Sequence, residues 1–139
     1  MESESKEYNL WQKLWIIQTQ LKSPKAQYNS FGKYNYRSAE DILESLKPFL
    51  KAAGAVVVLS DELEVQLNKV FVKATAKLID IKDGAEIAST AYAELCEHKG
   101  MSLDQCTGTA SSYARKYALN ALFALNDVKD SDYIGGMQK

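Results

Sequence analysis

The chain has 139 residues, 46% of them hydrophobic and 25% charged, with a formal net charge of −1 and a pI near 5.9. These are values for one globular domain able to bury a core, and they exclude a protein that coats nucleic acid through bulk positive charge. The acidic, polar start MESESKEYNL does not read as a signal or transit peptide. No apolar run approaches the roughly 20 residues of a membrane span. Cys96 and Cys106 form no disulfide framework and read as reduced thiols, so a soluble, cytoplasmic protein is expected.

Leu10, Leu14, Ile17 and Leu21 repeat at helical spacing, which predicts a first helix over about residues 7–21. KSPKAQYNSFGKYNY contains Pro24 and Gly32, has no period and reads as a loop. Ser38 and Asp41 form a capping box before a second helix striped by Ile42, Leu46, Phe49 and Leu50. Pro48 is expected to kink or tighten its end, and Gly54 to close it.

Three strand candidates follow: AVVVLSDELEVQL, KVFVKATAKLIDI and AEIASTAYAELCE. Asp83-Gly84 is a two-residue hairpin signal. Counting outward from it places Val72 opposite Leu95, Ala74 opposite Ala93 and Ala76 opposite Ala91. On the other face Lys77 then meets Thr90, Thr75 meets Tyr92 and Lys73 meets Glu94. A first hairpin tightened at Asn68 places Val65 opposite Val72 and Glu64 opposite Lys73. Both hairpins put the small apolar residues on one face.

Ser102 and Gln105 make another capping box, and a helix from there to about Leu125 contains Gly108. Its Ala110, Ala114, Ala118 and Ala121 are expected to lie on the alanine ladder of the sheet. The predicted fold is α+β: an antiparallel three-stranded meander, a β-β-β-α core, with a long helix on one face and one or two N-terminal helices. The domain is expected to span residues 1–132, with a short tail at 133–139.

Three constellations carry possible chemistry. On the last helix, Ser112, Lys116 and Asn120 form one stripe, Ser111 and Arg115 its neighbour, with Tyr113 and Tyr117 beside them. These groups suit phosphate contact and stacking, but the residues alone favour a solvated charged face with the tyrosines half in the core. If they face solvent, alanine at Arg115 and Lys116 should weaken single-strand binding and leave the melting temperature nearly unchanged. Lys69, Lys73 and Lys77 share one strand face with Thr75, suited either to tracking a nucleic-acid backbone or to ordinary pairing with Glu64 and Glu94. Between Lys22 and Lys51 there are six cations against three acids. Its centre, FGKYNYR, interleaves Lys33 and Arg37 with Tyr34 and Tyr36, a composition for single-stranded nucleic acid or for a loop packed on its own domain. Cys96, His98 and Cys106 lack zinc spacing. Asp127, Asp130 and Asp132 lack an EF-hand pattern. No Walker motif is present. Catalysis and a metal or nucleotide cofactor are not expected.

TGTASSYARKYALNALFALND closely resembles the signature of the ERF (essential recombination function) family of phage single-strand annealing proteins, and FGKYNYRSAEDILESLKPFLKAAG resembles that family's N-terminal block. The resemblance runs from about Phe31 to Asp132. It implies an ATP-independent annealing protein of a bacteriophage, assembled as rings or filaments, with single-stranded DNA in a positive groove between the core helix and the hairpin region. It assigns backbone contact to Arg115 and Lys116. Lys33, Arg37, Lys73 and Lys77 follow as secondary contacts, with Ser112, Asn120 and Tyr34 as further DNA-facing residues. The implied partners are single-stranded DNA, further copies of the chain and host recombination or single-strand-binding proteins. The alternative is a small α+β interaction module that binds no DNA.

Overall fold

A computed structural model describes residues 7–96 and 100–126. Each of its helices starts on a reciprocal capping box. Asn9 with Gln12 opens α1 (Leu10–Gln20), Ser38 with Asp41 opens α2 (Ala39–Ala53), and Ser102 with Gln105 opens α3 (Leu103–Phe123). Asn9 moves the start of α1 three residues past the expected one. α2 runs on through Pro48 and stops where Gly54 takes a left-handed φ of 69°.

The segment expected to be a loop is a small hairpin instead. β1 (Gln27–Asn29) pairs antiparallel with β2 (Tyr34–Tyr36), and Asn29 organises the turn: its carbonyl accepts from Lys33 N–H at 2.7 Å and its side-chain oxygen from Gly32 N–H at 2.9 Å. Three-residue strands carry too little alternation to stand out in a sequence.

β3 (Ala55–Gln66), β4 (Lys69–Asp80) and β5 (Glu86–Glu94) form an antiparallel sheet in the order β3-β4-β5. Leu67 and Asn68 turn between β3 and β4 with φ of 51° and 64°. Both hairpins differ from the counted register by two residues. Val72 faces Leu63 and Ala93, Ala74 faces Ala91, and Ala76 faces Ser89. Lys73 lies between Glu62 and Tyr92, Thr75 faces Thr90, and Lys77 faces Ala88. Asp83-Gly84 is not a two-residue turn. The loop is Ile81–Gly84, set by Asp80, whose carboxylate accepts from Lys82 N–H and whose carbonyl accepts from Gly84 N–H. A shift of two preserves the side-chain period, so every residue keeps its expected face.

One sheet face, with Val72, Ala74, Ala76 and Leu78 buried, is covered by α3, whose Ala110, Ala114 and Ala118 are also buried. Small residues on both surfaces let helix and sheet approach closely. Ala121 departs from the expected face and is exposed. α2 also contacts α3, and Ile42, Leu46, Leu119 and Phe123 join the same core. The second half of α3 is therefore enclosed on more than its sheet side.

α1 closes the far end of β4. Lys13 Nζ meets the buried Asp80 carboxylate at 3.0 Å. The backbone hydrogen bond from Lys82, then Lys13, hold the Asp80 carboxyl below its ordinary value of 3.8. The folded protein thus binds this proton more weakly than the unfolded chain. Its stabilisation is present above about pH 4 and is lost as pH falls through the lower folded value. Asp80→Asn is expected to lower the melting temperature at pH 7 and to flatten the decline below pH 4, as thermal unfolding across pH would show.

Candidate nucleic-acid interface

The first half of α3, the start of α2 and the β1–β2 hairpin enclose a cavity of about 690 Å³. Four of the residues assigned to DNA contact from the sequence line it: Tyr34, Arg37, Ser112 and Lys116. Asn29, Tyr36, Gln105, Thr109 and Tyr113 add amides, hydroxyls and aromatic rings. The cavity thus offers two cations and three tyrosine rings against one acid, Glu40.

Each wall has a local cause. Strand alternation sets Tyr34 and Tyr36 two apart, and their rings meet edge-on at 6.0 Å. Gly32 leaves room for the Tyr34 ring, since a Cβ there would fall 2.4 Å from it. Gln27 of β1 donates to the Asp41 carboxylate of the α2 capping box at 3.2 Å, joining the hairpin to the helix start. The Ser38 N–H to that carboxylate, with help from Gln27, holds Asp41 below its usual pKa.

Lys116 corrects the expectation of a solvent-facing basic pair. It is only 4% exposed, and its ammonium lies 5.1 Å from the Tyr113 ring centre and 5.3 Å from that of Tyr117. The two rings stack at 6.2 Å. The ammonium lies over both rings, on one side of the stacked pair, and each ring face attracts the cation. Asn120, one turn on, is also buried, and neither polar atom of its carboxamide has a hydrogen-bond partner among the described residues. α2 packs against α3, while Ser112, at the start of the same stripe, stays exposed.

Arg115 does remain at the surface but points elsewhere. Its Nε donates to Asp61 of β3 at 3.0 Å, and Ser111 donates to the same carboxylate at 2.5 Å. Arg37 lines the cavity yet is largely committed to structure. Its Nε donates to the Ser23 carbonyl at 2.8 Å and its Nη1 to the Asn126 carbonyl at 2.6 Å. Lys33 sits exposed in the hairpin turn with φ of 58°.

Lys73 and Lys77 lie on the sheet face turned away from α3, so they share no cavity with Lys116. Each is paired: Lys73 with Glu64 at 3.5 Å and Lys77 with Glu86 at 3.3 Å, while Lys69 reaches Glu94 at 3.7 Å. Tyr92, then Glu64 and Glu62, raise the Lys73 pKa above its ordinary value. The single groove expected to hold all the cations is therefore divided among the cavity, the Asp61 contact and the outer sheet face. His98, Asp127, Asp130 and Asp132 lie outside the described residues.

Sequence reasoning missed Asn29, Gln105 and Thr109. The last two stand at i and i+4 on α3, in line with Gly108 and Ser112, a polar stripe visible once the helix is placed. Among the described residues no helix is long and apolar enough to cross a membrane.

Fold and cavity together define an α+β protein whose long helix carries a caged lysine into a tyrosine-lined cleft. The chain belongs to the ERF superfamily, whose model matches residues 10–139. It is 49% identical over 128 residues to the essential recombination function protein of Salmonella phage P22, an alignment covering 92% of this chain and 60% of that protein. The chain thus spans about three-fifths of that relative's length. No solved structure matches it at a significant level.

Proposed function

We propose that this protein binds single-stranded DNA and promotes its annealing to a complement, without ATP, as part of phage recombination. The observation that carries the reading is the convergence of Tyr34, Arg37, Ser112 and Lys116 on one cleft. Family membership and the recombination relative support it. Lys116 and the hydroxyls contact phosphate, and Tyr34 and Tyr113 offer stacking surface to bases. Each protomer contributes a shallow site, and a ring or filament joins such sites into a continuous track with useful avidity. Catalysis and a nucleotide cofactor play no part. Other proteins of recombination or single-strand binding would act on the same strand.

Titrating a labelled oligonucleotide at rising salt tests this. Affinity is expected to fall with a log–log slope of roughly −0.7 per phosphate contacted. Salt-independent binding, or no binding at low salt, removes the reading, and annealing of two complementary strands should proceed without nucleotide.

A further inference from the structure

The β3–β4 hairpin projects past the cover of α3, and its tip is apolar. Leu63 is 63% exposed, Val65 68% and Leu67 92%. Leu63 and Val65 lie on the sheet face that is buried further along, so the strands carry core-type residues beyond the core. Leu67 breaks two local rules together. It is a large apolar residue in water, and it holds φ of 51°, a conformation that favours Asn or Gly. Among the described residues nothing covers the side chain, which is 92% exposed. Such double violations mark functional positions.

A second unpartnered patch stands at the other end. α1 exposes Trp11 at 68% and Trp15 at 64%, one turn apart. The Lys13–Asp80 contact fixes α1 at the end of β4, about 37 Å along the strand from the hairpin turn. The two patches are unlike and lie at opposite ends. A reciprocal two-fold contact, tip on helix and helix on tip, would cover both but would close at two copies. A head-to-tail contact covers both on every copy, the arrangement that builds rings or filaments.

We propose that the hairpin tip of one copy, led by Leu67, docks on the Trp11–Trp15 face of α1 in the next. The tryptophans present roughly 300 Å² of ring surface, and the tip a similar amount. Joined, they hide about 600–700 Å² of apolar surface. At the roughly 60% apolar share of such contacts, the whole interface is about 1,000–1,170 Å², the size of a weak or transient one. Weak individual contacts of that size suit reversible assembly. This inference rests on the self-assembly in the proposed function and names its surfaces.

The test uses the full chain without DNA, by mass photometry. Val65→Thr with Leu67→Asn keeps strand and turn chemistry while removing the apolar tip. Trp11→Gln with Trp15→Gln strips α1. Each pair is expected to raise the concentration needed for assembly at least about thirtyfold, the scale of interface hot spots, with the melting temperature held. Mixed, the two variants are expected to form dimers and stop, because only one intact tip meets one intact helix. Variants that assemble normally overturn the docking surfaces while leaving assembly itself standing, and so do variants that assemble but lose oligonucleotide binding. Mixtures that stay monomeric overturn the head-to-tail pairing. A wild-type chain that is monomeric with and without DNA overturns the self-assembly reading as well.

Discussion

Lys116→Met is expected to weaken single-stranded DNA binding about ten- to hundredfold, the equivalent of one lost charge-assisted hydrogen bond. Methionine preserves the buried stem and a sulfur contact with the tyrosines, so melting should move by only a few degrees. The salt slope should become shallower by about 0.7, one phosphate fewer. Arg115→Ala should cost less. Its Nε is already taken by Asp61, and exposed pairs of this kind contribute only about 0–1 kcal/mol. A titration in which Arg115→Ala does the greater damage would move the binding surface out of the cavity and onto the β3 side. The burial of Lys116 also changes what double alanine substitution reports. Removing Arg115 and Lys116 together should lower the melting temperature, because the caged ammonium and its stem are part of the packing.

Asn120→Leu is expected to stabilise the protein. Asn120 is 6% exposed, and among the described residues neither polar atom of its carboxamide has a partner. Each unsatisfied buried group costs about 1–3 kcal/mol, and replacing it with an apolar group of similar shape removes that cost. A gain of roughly 1–3 kcal/mol corresponds to a rise of about 3–10 °C for a chain of this size. Scanning calorimetry of wild type and variant would settle it, and a fall in the melting temperature would mean that the carboxamide is not an orphan. Measuring DNA affinity on the same variant shows whether the polar group, one turn from Lys116, is kept for binding at the expense of stability.

The elements that came readily from the sequence are those governed by local rules. Ser38/Asp41 and Ser102/Gln105 placed two helix starts correctly, and the period-2 pattern found all three long strands. Register was harder. Gly84 does take a left-handed φ of 77°, as its turn signal implied, but the Asp80 carboxylate captures the loop and lengthens it by two residues. Such a side-chain contact is not written in any dipeptide. The β1–β2 hairpin escaped for a related reason. Its strands are held by an Asn29 turn and by Gln27 on a helix cap, not by an apolar pattern of their own.

The candidate site divides along the same line. Residue type and spacing made Lys116, Ser112, Tyr34 and Arg37 candidates for holding a nucleic acid, since chemistry and helical period are properties of the chain, and the resemblance to the ERF family put that reading ahead of plain surface. Which of them meet was decided by tertiary packing. The tyrosine hairpin, the start of α2 and the first half of α3 meet at the cleft and Lys116 and Asn120 are buried, while the sheet itself carries Lys73 and Lys77 to its far side. Periodicity says which residues share a face of one element. It cannot say which faces of different elements will be pressed together, because that depends on burying the most apolar surface at once across the whole chain.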